Sequence, residues 1–208
     1  ETCDVVPDGS KPVLGHVFKI SFDPFVGRQA VFRLYQGTIK KDAQVFLGDS
    51  RKGLKIGNLS SCLGKKLSDS AAAIPGDIML ISKAEGFAYD AVMRDAHDDE
   101  HIQLEAAALP TPMVGISIAP KSRGDEQKIA EVLTKLTESD PCFRVERDPA
   151  ANETVLRGMG DLHLRMAVER MSDQYAVEVV TGVPTIPYRE TIGKSAEGHS
   201  RHKKQTGG

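Results

Sequence analysis

The stretch Glu153–Thr181 constrains the fold more than any other, because its hydrophobic period changes twice within a short span. Glu153–Arg157 reads as a strand. Leu164, Ala167, Val168, Met171 and Tyr175 then recur at i, i+3, i+4, i+7 and i+11, which is one face of a helix. Val177, Val179 and Val180 restart a β pattern. Gly158 and Gly160 bracket the turn into the helix, where a missing Cβ eases a sharp reversal. Asp161 sits in the first helical turn, where a carboxylate suits the free N–H groups and the positive dipole end. This is a strand–helix–strand unit, and such a unit needs a second layer to cover its apolar face.

A matching unit lies upstream. Val114, Ile116 and Ile118 alternate with Gly115, Ser117 and Ala119, as in a strand. Ser122, Asp125 and Glu126 resemble a helix start. Ile129, Val132, Leu133 and Leu136 follow at helical spacing, and burying them is worth about 1.5–3 kcal/mol each. Asp140-Pro141 ends that helix and Phe143-Arg144-Val145 opens a strand. Residues 113–183 therefore run strand, helix, strand, strand, helix, strand. That order predicts a ferredoxin-like split βαβ domain, one sheet with both helices on one face.

Upstream of Leu109-Pro110-Thr111-Pro112 the pattern is different. These prolines fix φ and remove donors, so neither a helix nor a central strand should cross them. Between Pro12 and Leu104 short β runs (Val13–Ile20, Gln29–Tyr35, Ala43–Leu47, Leu54–Leu59, Ile78–Ile81) alternate with turn signals such as Asp23-Pro24 and Pro75-Gly76-Asp77. Short, evenly spaced strands predict a small antiparallel barrel over residues 1–108. Glu85–Glu105 reads as irregular chain. After Gly182, Pro184 and Pro187 mark a linker, Tyr188–Ile192 could form one strand, and 184–208 reads as the truncated start of a further domain.

Charge narrows the partner classes. The net charge is −2, but residues 1–66 hold eleven Lys/Arg against six Asp/Glu, whereas residues 67–107 hold two against nine. The first part can face a polyanion and the second cannot. Lys40, Lys41, Arg51, Lys52, Lys55, Lys65 and Lys66 are the candidate phosphate contacts, against a plain solvated face as the alternative. No apolar run approaches a membrane span and no signal peptide opens the chain. The three cysteines form no CxxC, which points to a reducing compartment. The chain starts at Glu1 rather than Met, and it reads as an excised part of something longer.

Several chemistries find no motif. There is no GxxxxGK[ST], GxSxG or HExxH. Gly158-Met-Gly160-Asp-Leu-His163 follows a strand and opens a helix, yet His163 stands where a dinucleotide fingerprint needs its third glycine. His97 and His101 are spaced like metal ligands, but without helical context or further ligands they read as an acidic surface loop. An RNA-recognition motif would need stacking aromatics on the central strands, and Met113–Ile118 and Glu153–Arg157 carry none. No catalytic and no metal residue is expected.

Taken together, Asp23-Pro24-Phe25 with Gly27-Arg28, Arg33–Gly37, Gly76-Asp77-Ile78, Pro120-Lys121, Asp140-Pro141, Gly158–Leu164, Tyr188–Ile192 and Gln205–Gly208 resemble bacterial elongation factor G in order and spacing. The resemblance implies a translation-factor β-barrel as second domain, a ferredoxin-like third domain and the start of a fourth. It further implies that the barrel docks on small-subunit ribosomal RNA and protein, with Arg28 joining the cations above. The third domain would couple GTP hydrolysis to tRNA and messenger movement, with His163, Arg165 and Arg170 projecting from its second helix toward partners, against plain solvated helix charges as the alternative. GTP or GDP and Mg would belong to a GTPase domain outside this sequence, so the chain itself would hold no cofactor and no GTPase activity. A cytoplasmic monomer is expected. Ser139 before Asp140-Pro141, Asp161 in place of glutamate, and a missing Thr-Gly-Asp-Thr-Leu depart from the family pattern and keep an elongation factor G-like paralogue open. The alternatives are a tetracycline-resistance-type ribosomal protection GTPase, or a protein-interaction module that binds no ribosome.

Overall fold

The computed structural model describes residues 4–64, 66–96, 102–122 and 124–203. Two cores form, one on each side of the proline-rich segment. In the first, β1 (Leu14–Asp23), β2 (Gly27–Gln36), β4 (Gln44–Leu47), β5 (Leu54–Lys55), β6 (Leu59–Leu63), β7 (Lys66–Asp69), β9 (Ile78–Ser82) and β10 (Val92–Arg94) make one sheet. Its order is β5-β4-β10-β1-β2-β9-β6-β7, and every pairing is antiparallel. A short pair, β3 (Ile39–Lys40) with β8 (Ala72–Ala73), sits beside it.

The chain between β3 and β4 bridges toward both ends of the curled sheet: Asp42 donates its N–H to Ile56 O, just past β5, and Lys41 donates to Ala71 O, just past β7. The curl wraps Val17, Ile20, Phe32, Leu34, Ile56, Met79 and Ile81 into one interior. Strict alternation in β1 is broken by a bulge: Val17 pairs with Phe32 and Lys19 with Val31, leaving Phe18 as the extra, exposed residue. The bulge lets Val17 and Ile20 both face inward, and it sharpens the local twist that a curled sheet needs.

The sequence-based expectation for Glu85–Glu105 is corrected here. Val92–Arg94 forms β10, which lies in the middle of the sheet between β1 and β4. Three residues are too few to show a period, so pairing with two longer neighbours makes this strand. The expected run Leu54–Leu59 is likewise two strands, separated where Ile56 turns to bond the chain after β3.

The second core is a plait built from β11 (Val114–Pro120), α1 (Glu126–Ser139), β12 (Arg144–Asp148), β13 (Glu153–Gly158), α2 (Asp161–Tyr175) and β14 (Val179–Gly182). Its sheet order is β12-β13-β11-β14, all antiparallel. This is the split βαβ arrangement. Ile129, Val132, Leu133 and Leu136 of α1 are all buried, as their spacing requires. From α2, Leu164, Ala167 and Met171 are buried, and Tyr175 packs at the margin. Val168 is only half-buried, and Val177 beyond the helix takes a fully interior place instead.

The end of α2 explains Val177. Ala176 adopts the left-handed conformation (φ 50°, ψ 47°), which lets the Val177 N–H reach Met171 O at 2.9 Å. The chain then folds back and drops Val177 into the core. A left-handed alanine costs about 1–2 kcal/mol, and glycine there gives back about 0.4–1 kcal/mol of that in unfolded-chain entropy. Ala176→Gly is therefore expected to stabilise the plait by about 0.5–1 kcal/mol in a denaturant titration. A decrease in stability would show that the αL geometry is not held in solution.

Residues 188–192, expected as a possible strand, form none. They have no pairing strand among the described residues, and Tyr188 and Ile192 are exposed. The chain just before them is anchored: the Thr185 N–H and Oγ1 both donate to the Glu153 carboxylate, at 2.9 and 2.8 Å.

Candidate functional site

Two surfaces hold the residues that the sequence singled out. On the barrel, β3 and the turn after it place Lys40 and Lys41 in solvent beside Lys55, whose Nζ lies 3.0 Å from Asp42 Oδ1. Both members of that pair are largely exposed, so it holds Lys55 only weakly. Arg51 and Lys52 occupy the β4–β5 turn, and Lys66 stands at the tip of the β6–β7 hairpin. All six are exposed. Lys40, Lys41, Arg51, Lys52 and Lys66 have no ion-pair partner among the described residues. The cations thus occupy one corner and two hairpin ends rather than a single patch. Lys65 and the His97–His101 pair lie outside the described residues.

Arg28 is placed differently from expectation. Its guanidinium lies over the Phe22 ring at 5.6 Å, Nη2 donates to Phe87 O, and Nη1 donates to Glu138 Oε2 at 2.6 Å. A side chain engaged on three sides cannot also serve as an open phosphate contact, so Arg28 leaves the set of candidate RNA cations.

The second surface surrounds the start of α2. Asp140 closes α1, accepts the Cys142 N–H through Oδ1 at 2.9 Å, and meets His163 Nε2 through Oδ2 at 3.0 Å. The Met159 N–H points at His163 Nδ1, 3.2 Å away. Nδ1 therefore accepts and Nε2 carries the proton that Asp140 receives. The imidazole also stacks on the buried Phe143, with ring centroids 3.8 Å apart and 20° between the planes. His163 therefore ties the end of α1, the entry to β12 and the turn before α2 to one another. Expected to project from α2 toward partners, His163 is instead half-buried and bonded through both nitrogens. Arg165 is exposed, and Arg170 lies half-buried beside Tyr175.

Cys142, His163 and Asp140 resemble a nucleophile, base and orienting acid, but the chemistry runs the wrong way. Burial, and then the neighbouring Asp140 charge, push the Cys142 thiol up from its ordinary value. Both causes oppose the thiolate that a nucleophile requires. The unprotonated His163 nitrogen, Nδ1, already accepts the Met159 N–H, leaving no base for the thiol. Among the described residues no cluster of three His, Cys, Asp or Glu is placed to hold a metal.

The glycines of the turn differ in role. A Cβ on Gly158 would stand 3.0 Å from Leu164 Cδ2 and 3.2 Å from His163 Nδ1, whereas one on Gly160 would meet nothing within 4 Å. Gly160 is fully extended (φ 177°), which any residue can adopt. Close packing of α2 on β13 thus needs Gly158 alone. Gly158→Ala is expected to cost about 1–3 kcal/mol by overpacking, and Gly160→Ala to stay within about 0.5 kcal/mol. Equal losses in paired melts would sink this distinction.

Sequence reading missed an apolar group at this end of the plait. Met113 precedes β11 and is 77% exposed; Leu162 on α2 is 67% exposed, and Met159 and Met166 are also open to solvent. The Val114–Gly158 pairing brings Met113 and Met159 to one end of the sheet, next to the first turns of α2. Exposed apolar side chains gathered at one end of a domain are a common mark of a contact surface. Its only sequence signal is that Leu162 and Met166 fall off the buried stripe of α2.

A curled barrel followed by a ferredoxin-like plait is also the domain order that the family comparisons give. Residues 12–90 match the family model of Elongation factor G domain 2, and residues 109–183 match Elongation Factor G, domain III. Elongation factor G 1 of Treponema pallidum is 36% identical over 203 residues, covering 97% of this chain and 28% of that protein. Elongation factor G 2 of Bdellovibrio bacteriovorus is 36% identical over 210 residues, covering 100% and 29%. A crystal structure from Thermus thermophilus superposes with a TM-score of 0.79 at 38% identity, covering 88% of this chain and 27% of that one. The chain belongs to the elongation factor G family, and spans a little over a quarter of the length of these relatives.

Proposed function

We propose that this chain is the ribosome-docking and coupling portion of a translational GTPase of the translocase type. The barrel, within residues 1–108, would dock on small-subunit ribosomal RNA and protein. The observation that carries this reading is the set of exposed barrel cations, five of them without a carboxylate partner among the described residues. Fixed positive charge on hairpin ends and turns suits a phosphate backbone, which binds through counterion release rather than shape. The plait, within 113–183, would relay GTP hydrolysis to movement of tRNA and messenger. Residues 184–208 would begin a further domain.

Within such a protein, GTP or GDP and Mg would bind a GTPase domain outside residues 1–208, and this part alone would hydrolyse nothing. The apolar face of Met113, Met159, Leu162 and Met166 supports a contact with that domain, with Arg165 and Arg170 at its rim and His163 holding its scaffold. The reading also makes this a cytoplasmic monomer. No described helix is long and apolar enough to cross a membrane. Co-sedimentation of the 208-residue chain with ribosomes over a salt series tests the docking. Binding that weakens steeply with salt supports it. Absent or salt-independent binding favours a protein-interaction module.

A further inference from the structure

We propose that Arg28 and Glu138 form a latch that fixes the angle between the barrel and the plait. Arg28 stands at the start of β2 and Glu138 in the last turn of α1, so their 2.6 Å hydrogen bond joins the two cores. Among the described residues it is the one side-chain hydrogen bond that does so. The Arg28 side chain is only 14% exposed, and its Nε is buried with no partner. Its charge is therefore largely removed from water and balanced by one carboxylate, which comes from the other domain. Losing that carboxylate would leave a desolvated guanidinium beside Phe22 and Phe87 O. A buried charge without its partner is strongly disfavoured, so Arg28 must then move into water.

The surroundings permit that movement. Alongside the pair α1 rests against β1, and beside it opens a cleft of about 820 Å³ bordered by Pro24, Glu85, Lys128, Lys135 and Tyr175. Residues 102–113 form neither helix nor strand and impose no angle of their own. A loosely filled interface crossed by one desolvated pair has two arrangements: closed, with the pair made, and open, with Arg28 solvated. Domains within one chain move relative to each other by default unless a large apolar interface joins them, and here one side-chain hydrogen bond among the described residues does so. This inference stands independently of ribosome binding.

Residual dipolar couplings of the full chain read the angle directly. In the native chain both domains are expected to share one alignment tensor. Glu138→Lys puts a cation beside Arg28 while placing favourable charge at the C-terminal end of α1, so loss of the shared tensor cannot be assigned to fraying of the helix. That variant is expected to show two separate tensors with unchanged core chemical shifts. Glu138→Gln keeps an acceptor for Arg28 and is expected to fall between the two. Separate tensors in the native chain, or one tensor with the native orientation in Glu138→Lys, would overturn the latch.

Discussion

Met171→Ala is expected to remove about 2–5 kcal/mol from the stability of the plait. Met171 is fully buried on α2, in one cluster with Leu156, Leu164, Ala167 and Val177. Truncation loses the transfer free energy of the side chain and leaves a cavity among residues fixed on three elements. The position is also structural through its backbone, since Met171 O accepts the Val177 N–H that seats the chain after α2. That carbonyl survives the substitution, so the loss measures packing. Two cores make a single global transition unsafe, and the change must be followed in the plait itself, by hydrogen exchange at α2 and β13 amides. Barrel amides should keep native protection. A loss below about 1 kcal/mol would mean that the site collapses around the smaller side chain, contrary to the close packing of its neighbours.

Replacing Lys40 and Lys41 together by glutamine is expected to lower the salt dependence of ribosome association by roughly 1.5 in log–log slope, at about 0.7–0.9 for each phosphate left unneutralised. Neither lysine has an ion-pair partner among the described residues, and both lie on an exposed corner. Their removal should leave the fold untouched, because surface charges of this kind contribute little to stability. Lys19→Gln, on β1 in the middle of the sheet, removes one charge elsewhere and serves as the control per charge removed. A slope that falls equally per charge in the control would mean a diffuse attraction, and no change in either would move the docking surface away from this corner. Arg28 is excluded from such a series because its loss would disturb the interface between the two cores.

The sequence by itself determined the elements with enough residues to display a period. The stripes of α1 and α2, the alternation in β11, and the turn-punctuated runs before residue 105 each repeat several times, and burial followed the repeat in α1 and, apart from Val168 and the marginal Tyr175, in α2. The order of those elements then fixed the plait, since few topologies accept it. Motifs in sequence order carried the family. Tertiary structure decided whatever depends on a partner distant in the chain. Val92–Arg94 is a strand because β1 and β4 flank it, and Tyr188–Ile192 is not one because nothing described does. Arg28 and His163 read as exposed polar residues in sequence, and both were drawn inward by groups 110 and 23 residues away. Charge alone says that a side chain needs a partner or water; only the fold says which. The same holds for Gly158 and Gly160, alike in sequence, of which one faces Leu164 and the other open space.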